Sequence, residues 1–171
     1  MAFYIRKIAM GKWAKPIKCV DYIPADTITS DLRTSQNTLS LWRIENMSQI
    51  EDAFLALATT SKLTAIDKID VAIIDEEELK AVGLNEYVDN IDGDTALIEM
   101  VKKHWNLSNV DHRKLGSIAN IINRASLSTS GHMRRTKSSM DSSIIKAYKN
   151  GRIDITKLSP ELADVIIEMA S

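Results

Sequence analysis

The sequence predicts an α+β fold: a small N-terminal sheet with a βαβ unit and packed helices, followed by a helical C-terminal part. Two observations lead to this class. Strand-like and helix-like apolar patterns alternate in the first ninety residues, and only helical spacing follows from residue 92 onward. We therefore divide the chain into an α+β part with a mixed sheet, residues 1–90, and a helical part, residues 91–171. No Pro-rich linker separates the two, so we expect them to pack as one unit.

The chain begins with a strand. Residues 3–8, FYIRKI, are rich in the aromatic and β-branched side chains that suit a pleated surface. Residues 24–32 have the pattern of a short helix with Pro24 in its first turn, where a missing N–H is tolerated. Residues 38–44, TLSLWRI, carry apolar side chains on both alternating faces, which is typical of an interior strand.

The strongest local pattern is a helix at residues 47–58, MSQIEDAFLALA, in which Ser48 and Glu51 have the spacing of a capping box. The β-branched run at residues 69–74, IDVAII, is typical of a buried strand. Together with the strand at 38–44 they have the size of a βαβ unit, with a right-handed crossover if the two strands are parallel neighbours.

The rest of the chain has helical spacing alone. Apart from the helix at about residue 141, each begins at a residue that can act as an N-cap, and the last also has a proline in its first turn. The predicted helices begin at Asp75 (ending at Gly83), at Asp94 or Thr95, at Asp111, at about residue 141 (ending at Asn150-Gly151), and at Ser159-Pro160.

Charge is distributed unevenly along the chain. Residues 1–101 carry 10 Lys and Arg against 17 Asp and Glu, whereas residues 102–157 carry 12 against 3. Such a split indicates either two halves that attract each other, within the chain or between copies, or a face that binds an external anion.

The searches for catalytic motifs favour a non-enzymatic protein. The nearest pair of the six glycines, Gly83 and Gly93, is too widely spaced for a phosphate-binding loop or a serine-hydrolase elbow. Cys19 is the only cysteine, and no histidine occurs in the first hundred residues to activate it. His104 and His112 lack the helical i, i+4 spacing of a zinc pair. We expect no catalytic residue, no metal and no cofactor.

A metal-dependent hydrolase is the third hypothesis, ranked after a protein–protein interaction module and a nucleic-acid-binding module. Asp67 or Asp70 lies upstream of Glu78-Leu79-Lys80, the order of some metal-dependent nucleases. A second acidic group resembles a calcium loop but has the wrong spacing, so a polar turn that caps the next helix is the simpler interpretation. This second group consists of Asp89, Asp92, Asp94 and Glu99.

One segment indicates anion binding: the basic stretch that surrounds a Ser/Thr-rich loop within residues 124–152. Its side chains could neutralise phosphates of a nucleic acid without reading its sequence. Only Tyr148 is available to stack on bases, which argues against a single-strand platform. The candidate anion-binding residues are Arg124, Arg134, Arg135, Lys137, Lys146, Lys149 and Arg152.

The leading hypothesis is a protein–protein interaction module, an accessory or regulatory subunit of a larger cytosolic assembly that docks on another protein or on itself. The charge split would steer such an association. Trp13 lies between lysines and is the candidate interface residue, whereas Trp42 and Trp105 are expected in the core. A nucleic-acid-binding module is the alternative.

The first residues lack the apolar core of a signal peptide and no stretch is long enough to span a membrane, so we expect a cytoplasmic protein that binds no membrane.

Overall fold

The computed structural model describes residues 2–13, 22–85, 87–88 and 92–171, and Cys19 and Asp89 lie outside these ranges. The chain has an α+β fold with a helical C-terminal part, as the sequence predicts. The strands are β1 Phe3–Ile8, β2 Leu39–Ile44, β3 Ile69–Asp75, β4 Tyr87–Val88, β5 His104–Leu107 and β6 His132–Arg135. The α-helices are α1 Met10–Trp13, α2 Ala25–Asp31, α3 Ile50–Ala58, α4 Glu76–Ala81, α5 His112–Leu127, α6 Lys137–Lys149 and α7 Pro160–Ala170, and 3-10 helices form at Met47–Gln49, Ile98–Lys103 and Ile155–Lys157.

The six strands form one sheet in the order β4-β5-β2-β1-β3-β6. Every pairing among the described strands is antiparallel, so the predicted mixed sheet is wrong for this part of the chain. β2 and β3 nevertheless run in the same direction, because each is antiparallel to β1, which lies between them. The βαβ unit of β2, α3 and β3 is therefore split. An apolar pattern indicates that a strand is buried but does not indicate which strand lies beside it.

The prediction of helices alone beyond residue 92 is wrong in two segments, because β5 and β6 come from this half of the chain. The helix expected from Asp94 or Thr95 is a 3-10 helix at Ile98–Lys103, which leads directly into β5. β6 has the sequence HMRR, with a single apolar residue, so no alternation marks it as a strand. It forms one edge of the sheet, where short, charged strands are common because they resist unwanted pairing.

Helices cover both faces of the sheet. On one face, which we call the α3 face, Ile5 of β1 and Val71 of β3 pack in the core that includes residues of α3, α6 and α7. On the opposite face, the α5 face, Tyr4 and Ile74 pack in a second core with α5. The alternation of side chains along β1 and β3 therefore supplies two cores at once, which explains the continuous apolar run of β3.

Several helix caps agree with the sequence. Asp111 caps α5 by accepting from the backbone N–H of Arg113 and Lys114, and Ser159 caps α7 with Pro160 in the first turn. The start of α3 differs from the prediction, since Asn46 rather than Ser48 is the capping side chain. A 3-10 helix occupies Met47–Gln49, and α3 begins only at Ile50. Ser48 therefore lies before the α-helix, and its capping box with Glu51 does not form.

Candidate functional site

Two arginines of the basic stretch bind carboxylates that lie far away in the sequence. Arg134 in β6 donates from Nε to Oδ1 of Asp70 at 2.8 Å and from Nη2 to Oδ2 at 3.0 Å. Arg124 in α5 lies 3.6 Å from Glu78 of α4, measured from Nη2 to Oε1. Both carboxylates belong to the acidic first half of the chain, so part of the charge split is neutralised within the fold.

Arg135, which follows Arg134, points to the opposite face and ties β6 to α3. Its Nε donates to Oε2 of Glu51 at 3.0 Å, and its guanidinium lies 5.0 Å from the ring centroid of Phe54. Ser143 of α6 donates to the other oxygen of Glu51 at 2.6 Å. Glu51 thus joins a strand and a helix of the C-terminal half to α3.

Arg152, beyond the end of α6, is the fourth arginine of the basic stretch that pairs with acids of the first half. Its Nη2 donates to Oδ1 of Asp52 at 2.5 Å, and Glu99 accepts from the same guanidinium. The hydrogen bond to Asp52, followed by that to Glu99, raises the pKa of Arg152. The side chain is therefore a structural cation that holds the C-terminal half against α3.

The predicted anion-binding residues do not converge on one surface. Arg134 and Arg135 lie on opposite faces of the sheet, because successive residues of a strand alternate. Lys137, Lys146 and Lys149 of α6 are exposed and form no ion pair with the residues that the structure describes. The four arginines of the predicted set have carboxylate partners, whereas its three lysines have none among the residues described.

Asp70 is a buried carboxylate, with a relative exposure of 7%. Besides Arg134, it contacts Nε2 of His132 at 2.8 Å. Burial raises the pKa of Asp70, but the hydrogen bonds from Arg134 and His132 outweigh burial and hold that pKa below its ordinary value. Asp70 therefore remains ionised and fixes the Arg134 guanidinium at the sheet edge.

Trp13, the candidate interface residue, lies in the core with an exposure of 1%. Its indole Nε1 donates to Oδ2 of Asp31 at 2.8 Å, and the same oxygen accepts from the backbone N–H of Ala9 at 2.6 Å. A side chain buried in this way offers almost no area to a partner, so Trp13 is a core residue rather than an interface residue in this structure. Trp42 is also buried, and Trp105 is half-buried beneath the Arg43 guanidinium.

A cleft of about 680 Å³ lies on the α5 face at the end of the sheet where β1 finishes and β3 begins. We call it the cationic cleft. Lys12 and Lys68 contribute to its lining, together with Arg134, and no motif in the sequence marks either lysine as a site residue. Only strand register brings these segments together, since Ile8 lies opposite Asp70 and Asp70 lies opposite Arg134. The lining residues are Arg6, Lys7, Ile8, Ala9, Met10, Gly11, Lys12, Ser30, Asp31, Asp67, Lys68, Asp70 and Arg134.

A second cavity of about 660 Å³ lies at the opposite end of β3, and we call it the apolar groove. Phe3, Met47 and Met133 are half-buried there beside Ile73. Asp75 and Glu78 at the start of α4, together with Arg124 and the loop at 128–131, complete its lining. Sequence reasoning missed this site as well, because its apolar residues come from three strands and a 3-10 helix.

The candidate residues of the metal-dependent hydrolase are engaged elsewhere. Asp70 is bound to Arg134, and Lys80 pairs with Glu76 and Glu77 of its own helix. Asp92 pairs with Lys102, and Oδ1 of Asp94 accepts a hydrogen bond of 2.9 Å from the backbone N–H of Ser61. Within the described ranges, no group of three or more His, Cys, Asp or Glu side chains is placed to hold a metal ion.

No known protein family matches the chain, and no curated protein or solved structure is significantly similar to it. Among the described helices, none is both long enough and apolar enough to cross a bilayer. The function is therefore inferred from the contacts of the chain's own residues.

Proposed function

We propose that the protein is a non-enzymatic accessory subunit that docks on a partner protein through the apolar groove. The observation that carries the proposal is the set of half-buried side chains Phe3, Met47 and Met133, which surround Ile73 at an open end of the sheet. Apolar side chains that line an open groove beside charged residues are typical of a recognition site.

The groove suits an anchor side chain rather than a broad flat interface. Its volume of about 660 Å³ is that of a pocket for one or two side chains with their backbone. Met47 and Met133 are unbranched thioethers, which adapt their shape to an inserted group better than branched residues do. The occupant that fits is a short partner segment with a Leu, Met or Phe anchor.

The charges beside the groove select a basic partner segment. Residues 75–78 are DEEE, and they form the N-cap and first turn of α4 next to the groove. Lys80 and Arg124 are the cations that pair with this acidic turn among the described residues, so carboxylates outnumber cations there. A partner segment that carries Lys or Arg next to its anchor is complementary to this turn.

The contacts of the arginines also support an accessory role. Arg124, Arg134, Arg135 and Arg152 stabilise the fold through acids of the same chain, which leaves less cationic surface for a polyanion. The carboxylates considered for catalysis, such as Asp70, are likewise held by cations. Part of the charge split along the sequence is therefore neutralised by ion pairs inside the molecule.

A displayed library of random twelve-residue peptides tests the proposal. We expect selected peptides to share an apolar anchor with a neighbouring Lys or Arg. Their affinity, measured by fluorescence polarisation, should fall about tenfold or more in Met47→Lys, which places a cation in the groove. Glu78→Lys should weaken binding most at low ionic strength, because salt screens the rim charge.

Two matched variants serve as controls. Met169→Lys changes a half-buried methionine of α7, and Glu161→Lys reverses an exposed charge of the same helix, both away from the groove. Each should leave peptide affinity unchanged. Selection of no consensus, selection of acidic peptides, or equal affinity in Met47→Lys and Met169→Lys would contradict the proposal. So would a groove that mediates self-association, seen as a dimer that Met47→Lys dissociates in light scattering.

A further inference from the structure

We propose that the cationic cleft binds a small organic ligand through a phosphate monoester group. This goes beyond the accessory role, because the cleft and the apolar groove share no lining residue. The cleft volume of about 680 Å³ lies within the range of small-molecule sites.

The carboxylates of the cleft are already occupied by donors. Asp70 accepts both hydrogen bonds of Arg134 and contacts His132. Asp31 accepts from the indole of Trp13 and from the backbone N–H of Ala9. Asp67 accepts from the backbone N–H of Lys68 at 2.7 Å. Asp70 and Asp31 thus tie parts of the cleft wall together, whereas Asp67 is exposed and bonds to the backbone of its neighbour.

By contrast, Lys12, Lys68 and Arg6 of the cleft have no carboxylate partner among the described residues. Lys12 and Lys68 are exposed and form no ion pair with any residue that the structure describes. Arg6 donates to the backbone carbonyls of Asp31 and Ser40, and its guanidinium has no hydrogen-bonded carboxylate in the described part of the chain. Lys7 also lines the cleft, although its position in β1 directs its side chain toward the α3 face. Cations therefore outnumber carboxylates around an accessible cavity.

Arg134 is an exposed cation of the cleft that the structure holds in a fixed orientation. Its side chain is 49% exposed, yet Asp70 anchors it through Nε and Nη2. Its Nη1 makes no hydrogen bond within the described ranges and remains available as a donor. A guanidinium fixed from behind by a buried carboxylate loses little conformational entropy when it binds an oxyanion.

The chemistry of the ligand follows from these groups. A phosphate monoester carries a charge of about −1.5 to −2 at neutral pH and three acceptor oxygens. An oriented guanidinium with two flexible ammonium groups, Lys12 and Lys68, supplies donors and charge for such a group. Ile8 and Met10 line the same cleft, so the organic part of the ligand would have apolar contacts.

Isothermal titration calorimetry at low ionic strength tests the inference with three probes: phenyl phosphate, inorganic phosphate and a twelve-nucleotide single-stranded DNA. We expect phenyl phosphate to bind at one site and more tightly than inorganic phosphate. Lys12→Gln and Lys68→Gln should each weaken its binding about tenfold, which corresponds to the loss of one charge-assisted contact. Both lysines are exposed, so their substitution should leave the thermal melt unchanged.

The matched controls are Lys62→Gln and Lys157→Gln, two exposed lysines outside the cleft, which should bind phenyl phosphate as the wild type does. Absence of binding at millimolar phenyl phosphate would overturn the inference. The same holds for an affinity that Lys12→Gln and Lys68→Gln leave unchanged. Binding of the oligonucleotide through these lysines without binding of phenyl phosphate would overturn it in favour of a nucleic-acid site. Peptide binding at the apolar groove is measured separately and does not depend on any of these results.

Discussion

Asp70 in β3 and Arg134 in β6 lie 64 positions apart in the sequence and directly opposite each other in the sheet, joined by two parallel hydrogen bonds. Burying the carboxylate costs solvation free energy, and the guanidinium offsets that cost from the edge strand. The pair therefore has two effects: it fastens β6 to the sheet, and it orients a cation beside the cationic cleft.

The first prediction concerns acid stability. The pKa of Asp70 lies below its ordinary value in the folded protein and near about 3.9 in the unfolded chain. A carboxyl whose folded pKa is depressed contributes stability above the unfolded pKa and loses it as the pH falls through the folded pKa. We expect Asp70→Asn to lower the free energy of unfolding at pH 7 by about 1–2 kcal/mol. The deficit should shrink below about pH 4.

Urea denaturation at a series of pH values between neutral and strongly acidic measures this effect. Asp164→Asn is the control, since Asp164 is an exposed aspartate of α7. It should follow the wild-type profile throughout. A deficit of Asp70→Asn that stays constant down to strongly acidic pH would contradict the role of the ionised carboxylate.

The second prediction concerns the ion pairs that hold the C-terminal half to α3. Arg152→Ala removes the cation shared by Asp52 and Glu99. We expect a loss of about 0.5–1 kcal/mol in the free energy of unfolding at low salt, because all three side chains are partly exposed and water screens them. Added sodium chloride should reduce the difference between wild type and variant.

Thermal melts in low and high sodium chloride measure the second prediction. Lys157→Ala is its control, because Lys157 is an exposed cation with no ion pair to the described residues. It should show no salt-dependent deficit. An Arg152→Ala deficit that is the same at both salt concentrations would indicate that Arg152 acts through packing rather than charge.

Elements defined by local chemistry could be predicted from the sequence. The aromatic and β-branched residues of β1, the Asp111 cap of α5 and the Ser159-Pro160 start of α7 each carry their signal within a few residues. β6 has no such signal. Its sequence HMRR becomes a strand because Asp70 pairs with its arginine and β3 supplies its hydrogen bonds. Tertiary contacts determine this strand, and no local pattern contains them.

The candidate sites were harder to predict than the fold, for the same reason. The basic stretch drew attention to Arg134 and Arg135 as one group, but strand alternation sends them to opposite faces. Lys12 and Lys68, which border the cationic cleft, are isolated lysines in the sequence. A cleft between strand ends depends on strand register, and no local sequence pattern specifies which strands are neighbours.

The last prediction concerns Gly131, at the entry to β6. A Cβ at this position would lie 2.7 Å from Cα of Ala125 and 2.8 Å from its carbonyl oxygen. These are backbone atoms of α5 and cannot rotate away, so Gly131→Ala must shift β6 or α5. We expect it to lower the free energy of unfolding by about 1–3 kcal/mol, the usual cost of overpacking.

Gly116→Ala, within α5, is the matched control, for which we expect the free energy of unfolding to change in the opposite direction. Apart from the chain neighbours and the backbone of α5 itself, no atom of the described residues lies within 4 Å of a Cβ placed there, and alanine favours the helix over glycine. The substitution should raise the free energy of unfolding by about 0.5–1 kcal/mol. Urea titrations measure both changes, and equal m-values would show that neither substitution alters the surface exposed on unfolding. A neutral Gly131→Ala would mean that β6 does not approach Ala125 closely, and the position of Arg134 beside the cleft would then have to be revised.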